Sequence, residues 1–213
     1  MIIPPTLAAA KEIQEQLRVS IVTEDQLGTV KYVAGVDVGI NQGKQIAQGA
    51  VAVLSFPELE LIESATYLCP LSFPYIPGFL SFREIPPIMG ALARLQTTPD
   101  LILCDGQGIA HQRRFGLACH LGILSNLPTI GVAKSLLVGT YEPLAPHKGA
   151  WEPLIDQQEV IGAVVRTRSG VKPLYVSIGH RISLETAIEY VLRCTTKYRL
   201  PETTRRADRL SRA

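Results

Sequence analysis

Val33-Ala-Gly-Val-Asp-Val-Gly-Ile40 is the stretch on which the fold turns. Val33, Val36, Val38 and Ile40 are strand formers with little polar relief around them, so the run predicts a buried strand. A carboxylate inside such a strand, Asp37, is costly unless a cation or hydrogen bonds hold it. A similar apolar run, Leu101-Ile-Leu-Cys-Asp-Gly106, ends on a second acid, Asp105. Two strand-borne aspartates in one small α/β chain point to a metal site. The bland alternatives are a structural buried acid for Asp37 and a strand-ending turn at Asp105-Gly106.

Outward from these strands, residues 6–21 predict a surface helix, capped by Thr6, with Ile13, Leu17 and Ile21 recurring at fours. Strands are expected at 31–40, 47–55 and 60–69, joined by short polar connections and therefore pairing as an antiparallel meander. The rigid Pro74-Tyr-Ile-Pro-Gly78 leads into a helix running to about residue 95, with Pro86 and Pro87 expected in its first turn. A strand at 100–105, a helix around 116–125 and a strand at 128–133 follow. Segment 138–158 reads as a loop. Strands 159–167 and 172–178 form a hairpin, and a last helix starts at a Ser183 cap. Three antiparallel strands followed by helix–strand alternation, with acids on the first and fourth strands, match the ribonuclease H-like architecture. That is an α/β fold with a mixed central sheet flanked by helices. The resemblance implies that the two acids sit on adjacent central strands and share divalent metal.

The 213 residues, 46% of them hydrophobic, suffice for one core, so residues 1–213 are expected to form a single domain. A net charge of +2 excludes a wholesale polycation. The arginines cluster, however: Arg113 and Arg114 are adjacent, and Arg199, Arg205, Arg206, Arg209 and Arg212 crowd the tail. Clustered cations on a near-neutral body fit a local anion-binding face, a solvated tail being the alternative. Cys69, Cys104, Cys119 and Cys194 lack CxxC spacing and read as small buried hydrophobes of a reducing compartment. No apolar run approaches a membrane span and no signal peptide is visible, so a cytoplasmic location is expected.

Four carboxylates are candidates for chemistry: Asp37, Glu84, Asp105 and Asp208. Phosphodiester hydrolysis needs an activated water, charge neutralised at phosphorus and a stabilised leaving oxygen. Oxygen-ligated Mg²⁺ can supply all three, alone or as a pair about 3.5–4 Å apart. Taken alone, Glu84 beside Arg83 is more often a surface ion pair, and Asp208 among arginines a solvated charge.

Further blocks carry a specific resemblance: Pro74-Tyr-Ile-Pro-Gly-Phe-Leu-Ser-Phe-Arg-Glu84, Asp105-Gly-Gln-Gly-Ile-Ala-His111, Pro128-Thr-Ile-Gly-Val-Ala-Lys134, Ser177-Ile-Gly-His180 and Leu200-Pro-Glu-Thr-Thr-Arg-Arg-Ala-Asp208. Together with residues 33–38 they resemble endonuclease V, the inosine-directed nucleases, in order over most of the chain. The resemblance implies Asp37 and Asp105 as central metal ligands, Glu84 as the catalytic glutamate, Asp208 as a C-terminal ligand and Lys134 near the scissile phosphate. It implies Mg²⁺ as cofactor, with Mn²⁺ able to substitute. Tyr75, Ile76 and Pro77 match a wedge that fills the gap left by an extruded base. Gly78, Leu80, Gly106 and Gly108 fall where a small pocket reads that base, and His111 lies close to the active site. Two positions depart from the family pattern: Gln107 stands where histidine is common, and Gln112 where proline is. Neither is a carboxylate, so activity is expected to survive with some change in rate or metal preference.

The implied reaction is hydrolysis of the second phosphodiester 3′ to deoxyinosine, leaving 3′-hydroxyl and 5′-phosphate ends, by a monomer acting on DNA that carries deaminated or distorted bases. An inosine-specific ribonuclease is the sibling reading. A non-catalytic inosine-binding module is another, disfavoured by the intact acids. Gly35-Val-Asp-Val-Gly39 also resembles the phosphate strand of actin-like ATPases, but 213 residues leave little room for their second subdomain.

Overall fold

The computed structural model describes residues 4–212; the remaining ends of the expected 1–213 domain, with the start of the segment screened for a signal peptide, lie outside the described residues. Eight strands form one sheet: β1 (Tyr32–Asn41), β2 (Ile46–Ser55), β3 (Leu61–Pro70), β4 (Leu101–Cys104), β5 (Thr129–Ala133), β6 (Trp151–Asp156), β7 (Glu159–Val165) and β8 (Leu174–His180). Their spatial order is β3-β2-β1-β4-β5-β8-β7-β6. β1, β2 and β3 pair antiparallel as the meander predicted, whereas β1–β4 and β4–β5 are parallel. This is the ribonuclease H-like mixed sheet.

Alternation along the central strands builds both cores at once. Val33, Leu101 and Leu103 face one layer with α4 (Leu184–Arg193). Ala34, Val36, Ile102 and Cys104 face the other, with α2 (Leu80–Leu92) and α3 (Leu117–Ser125). Cys104, Cys119 and Cys194 are buried thiols and Cys69 is half-buried; all four are free. Among the described residues no helix is long and apolar enough to cross a membrane.

Four expectations need correction. Segment 138–158 is not all loop, because Trp151–Asp156 forms edge strand β6 and pairs with β7. Pro153 is tolerated because an edge strand leaves one row of N–H groups without ladder partners. α2 begins at Leu80, so Pro86 and Pro87 lie inside it rather than in its first turn. Burial of Phe82, Ile85 and Ile88 holds the helix through the prolines. Helix α1 (Leu7–Arg18) stops short of Ile21, and its fully buried residues are Ala10 and Gln14 rather than the Ile13–Leu17–Ile21 stripe.

The fourth correction matters most. The chain does not end its helices with α4: Glu202–Ser211 forms α5, packed on the sheet. Thr203, Thr204, Ala207 and Ser211 form its buried side. A Cβ on Gly35 would fall 2.1 Å from the Thr203 carbonyl, and one on Gly39 would fall 2.0 Å from that of Ser211. Eight residues of helix and four of strand both span roughly 12–13 Å, so α5 lies along β1 from Gly35 to Gly39. Asp37 sits midway on the same face. We expect Gly35→Ala to cost about 2–3 kcal/mol in chemical denaturation by prising α5 off the strand. A shift below about 0.5 kcal/mol would mean that α5 is loosely held.

Candidate active site

Strand register brings the two aspartates together. Val36 of β1 is paired with Cys104 of the parallel β4, so the next residues, Asp37 and Asp105, emerge side by side at the same end of the sheet. Neighbouring strands lie about 4.8 Å apart, close enough for Asp105 to act on Asp37. Glu84 reaches the pair from the first turns of α2, and Asp208 from α5. Lys134, one residue beyond β5, forms an ion pair with Asp105 Oδ2. All five residues singled out from sequence therefore converge from five different elements.

Electrostatics in the cluster is dominated by burial and repulsion. Burial pushes the Asp37 carboxyl up, and Asp105 and Asp208 push it the same way; Ser211 and Lys134 oppose them. Ser211 donates to Asp37 Oδ2 at 2.5 Å. Glu84 is half-buried by exposure, yet protein crowds its carboxylate. Burial, then Asp37 and Asp105, push it up to about 8 against a partial offset from Arg83. Arg212 holds Asp208 Oδ1 at 2.6 Å.

Among the described residues no three His, Cys, Asp or Glu side chains stand as a ready metal cage. Lys134, Ser211 and Arg212 each take one carboxylate, on Asp105, Asp37 and Asp208 in turn. The donor chemistry nevertheless fits Mg²⁺. The groups are all hard oxygens, and two of the acids are held above their ordinary range by crowding that a divalent cation would relieve.

A cleft of about 350 Å³ opens beside Asp105. Tyr75, Pro77, Gly78, Leu80, Gly106 and His111 line it, as does Lys134. Tyr75 is 66% exposed and projects, with Arg83 Cζ 5.9 Å from its ring centre. Ile76 does not project; it packs against Phe73, Phe79 and Phe82 and anchors the loop. Gly108 lies beneath the cleft, its N–H given to Ser177 Oγ at 2.9 Å and its carbonyl taken by the Gly116 N–H at 3.0 Å. A Cβ there would meet the Ile178 carbonyl at 2.0 Å, so the glycine serves close backbone packing.

His111 is buried and held down to about 4, first by burial and then by Arg113, so it is neutral at pH 7. Its Nδ1 accepts from the Arg113 N–H at 3.2 Å, which leaves Nε2–H to donate to the Gly78 carbonyl at 3.1 Å. Gln107 Nε2 donates to the Ser135 carbonyl at 3.2 Å, tying the two walls of the cleft, while exposed Gln112 packs on Gly78.

Ser211 and Gln14 were missed from sequence. For Ser211 a signal existed: the small side chains of Thr203, Thr204, Ala207 and Ser211 recur on one helical face, and small residues allow close approach to a strand. For Gln14 the signal was weaker, a polar residue four positions after Ala10 on the buried face.

Both the sequence and the fold have known relatives. The model of the Endonuclease V family matches residues 15–209. Endonuclease V of a Nostoc species is 65% identical over 209 residues, covering 98% of this chain and 95% of its own. The crystal structure of Endonuclease V from Streptomyces avermitilis superposes with a TM-score of 0.94 at 44% identity, covering 99% of this chain and 93% of that one. Ciona intestinalis Endonuclease V, solved with a 24mer DNA containing an inosine followed by a ribo-adenosine, gives a TM-score of 0.85 at 36% identity, covering 97% and 96%. A match of this length and identity over the whole sheet leaves one assignment: the chain belongs to the endonuclease V family, metal-dependent nucleases that hydrolyse phosphodiester bonds.

Proposed function

We propose that this chain recognises deoxyinosine in DNA and hydrolyses the second phosphodiester bond 3′ to it, leaving 3′-hydroxyl and 5′-phosphate ends, as a single-domain monomer in the cytoplasm. The observation that carries the reading is that Asp105 belongs at once to the acid cluster and to the wall of the cleft, so base recognition and bond breaking share an edge. Inosine-containing DNA bound by the Ciona relative supports the choice of base.

Tyr75, held out on a loop stiffened by Pro74 and Pro77, enters the stack as the lesion leaves it. Hypoxanthine pairs weakly, so extruding it costs less than extruding adenine, and the cleft rewards the difference. Asp37, Asp105 and Asp208 would hold Mg²⁺ or Mn²⁺, with Glu84 beside them. When bound, the ion supplies Lewis acidity at the phosphate and a lowered pKa for water. Lys134, ion-paired to Asp105, would set its ammonium against the scissile phosphate as negative charge grows in the transition state.

The direct test is nicking of a duplex with one deoxyinosine, with and without Mg²⁺. The same inosine in single-stranded RNA, and in DNA followed by one ribonucleotide, tests the ribonuclease reading. Cleavage of the DNA duplex is expected; RNA cut at least tenfold faster would reassign the substrate. Tyr75→Ala is expected to lower the preference for deoxyinosine over undamaged duplex about tenfold, the order of one lost aromatic–base stack. An unchanged ratio would remove the wedge.

A further inference from the structure

The Gly78 carbonyl is gripped by three donors at once. Gln14 Nε2 reaches it at 3.0 Å, His111 Nε2 at 3.1 Å and Arg113 Nη2 at 2.5 Å. Gln14 is 1% exposed and comes from α1, 64 residues earlier in the chain. Both of its N–H groups have a carbonyl to meet, since Nε2 also donates to the Phe115 carbonyl at 3.3 Å, and Oε1 accepts from Arg113 Nε at 2.6 Å. Arg113 in turn lies over the Phe79 ring at 4.2 Å. Gly78 holds a left-handed backbone, φ +81°, directly after Tyr75-Ile-Pro77.

This is more than a buried amide finding partners. Gln14 lines the cleft, and it is the point where α1, the 111–115 turn and the Tyr75–Gly78 loop meet. Ala10 of α1 packs with Phe73, Phe79 and Phe82, with Ile13 and Ile76 against them, so the helix braces that loop from outside. An apolar brace alone is non-directional and lets the loop slide, whereas three donors converging on one carbonyl fix it in place. Gly78 is the one residue of the Pro74–Gly78 loop with a left-handed backbone, so the direction of its carbonyl is fixed by a conformation its neighbours do not share. Holding its carbonyl sets where Tyr75 projects and how wide the cleft mouth stands.

We infer that Gln14 is a positioning residue for lesion recognition: its amide pins the Gly78 carbonyl and cross-links Arg113, so that the projecting Tyr75 and the cleft mouth are pre-set before nucleic acid binds. The inference rests on the reading of that loop as the wedge of an inosine-directed nuclease. Pre-organisation acts on binding of the distorted substrate, not on the bond-breaking step, because Gln14 touches none of the four acids.

The test is steady-state cleavage of deoxyinosine and undamaged duplexes by wild type, Gln14→Met and Gln14→Glu. Met keeps the volume and loses all three hydrogen bonds, to the Gly78 and Phe115 carbonyls and from Arg113. Glu keeps the acceptor for Arg113 but turns oxygen toward the Gly78 and Phe115 carbonyls. Gln14→Met is expected to raise KM for the deoxyinosine duplex about tenfold, with kcat within about twofold and the deoxyinosine preference reduced. Gln14→Glu should be at least as impaired. Hydrogen exchange supplies a readout independent of turnover: the Phe79 amide, bonded to the Ile76 carbonyl at 3.0 Å, should exchange at least tenfold faster in Gln14→Met, while the β1 and β4 amides hold. Wild-type KM with wild-type exchange at Phe79 would overturn the inference. So would equal loss at every amide and in kcat, which marks a purely structural amide. If wild type itself shows no deoxyinosine preference, the proposed function fails; if wild type prefers deoxyinosine and both variants match it, only the Gln14 inference fails.

Discussion

Asp37→Asn is expected to lower kcat on a deoxyinosine duplex by at least about a thousandfold while leaving binding of that duplex within about threefold. The substitution removes one negative charge and almost no volume. It can still accept from Ser211, so the β1–α5 contact survives. What it loses is the anionic oxygen at the centre of the cluster, the one acid that feels both Asp105 and Asp208. An amide is a poor ligand for a hard divalent ion competing with water, and losing such charge stabilisation at phosphorus costs about 4 kcal/mol or more of transition-state energy. Binding rests on the cleft and its loop, whose lining includes Asp105 but not Asp37. A second readout has the opposite sign. Burial and two neighbouring acids raise the Asp37 pKa, so its ionisation opposes folding as pH rises. The amide cannot ionise, and Asp37→Asn should therefore melt at or above the wild-type temperature at pH 8 without metal. Cleavage retained within tenfold would sink the role; a large fall in melting temperature would show that lost activity came from lost structure.

The same physics explains how much could be read before the fold was seen. Asp37 and Asp105 were legible because a charge in an apolar strand violates a strong rule, and rule-breaking concentrates at functional sites. Their juxtaposition was not legible from either strand alone; it depends on the parallel register that sets Val36 beside Cys104. Glu84, Asp208 and Lys134 could not be told from surface charges by local sequence. Only the spacing of whole motifs along the chain singled them out, and the fold then gathered them. α5 was misjudged because its arginines dominate the composition while the informative residues are its small ones. Thr203 and Ser211 carry weight only when set against Gly35 and Gly39, and that correspondence crosses some 170 residues. β6 was hidden by Pro153, which argues against a central strand but not against an edge. Gln14 was hidden for the reverse reason: a glutamine on a helix is unremarkable until its partners, a glycine carbonyl and an arginine far along the chain, are in place.

Glu84 supplies the second large effect, on stability. Its ordinary value of 4.5 is pushed up to about 8 in the folded protein. Below pH 4.5 the carboxyl is protonated folded or unfolded and costs nothing. Between the two values the unfolded chain releases the proton while the folded chain keeps it. Stability is therefore lost as pH rises, by about 1.4 kcal/mol per unit from this group, and levels out above 8 with a total on the order of 3–5 kcal/mol. Asp37 shifts in the same direction and steepens the fall. In chelator, wild type should thus be markedly less stable at pH 9 than at pH 6, and Glu84→Gln should remove much of that slope, melting well above wild type at pH 9 and close to it at pH 5. Mg²⁺ should reverse the loss, stabilising wild type more at pH 9 than at pH 6, because ionised carboxylates bind the ion and protonated ones do not. Glu84→Gln should gain less from Mg²⁺ at either pH. Thermal melts of both proteins across pH 5–9, with chelator and with Mg²⁺, measure all of this. A wild-type profile that is flat in chelator would mean that the acids do not strain the metal-free fold. A Mg²⁺ stabilisation independent of pH would mean that the ion binds away from the crowded carboxylates, and the electrostatic case for a metal centre at Asp37, Asp105 and Asp208, beside Glu84, would fall with it.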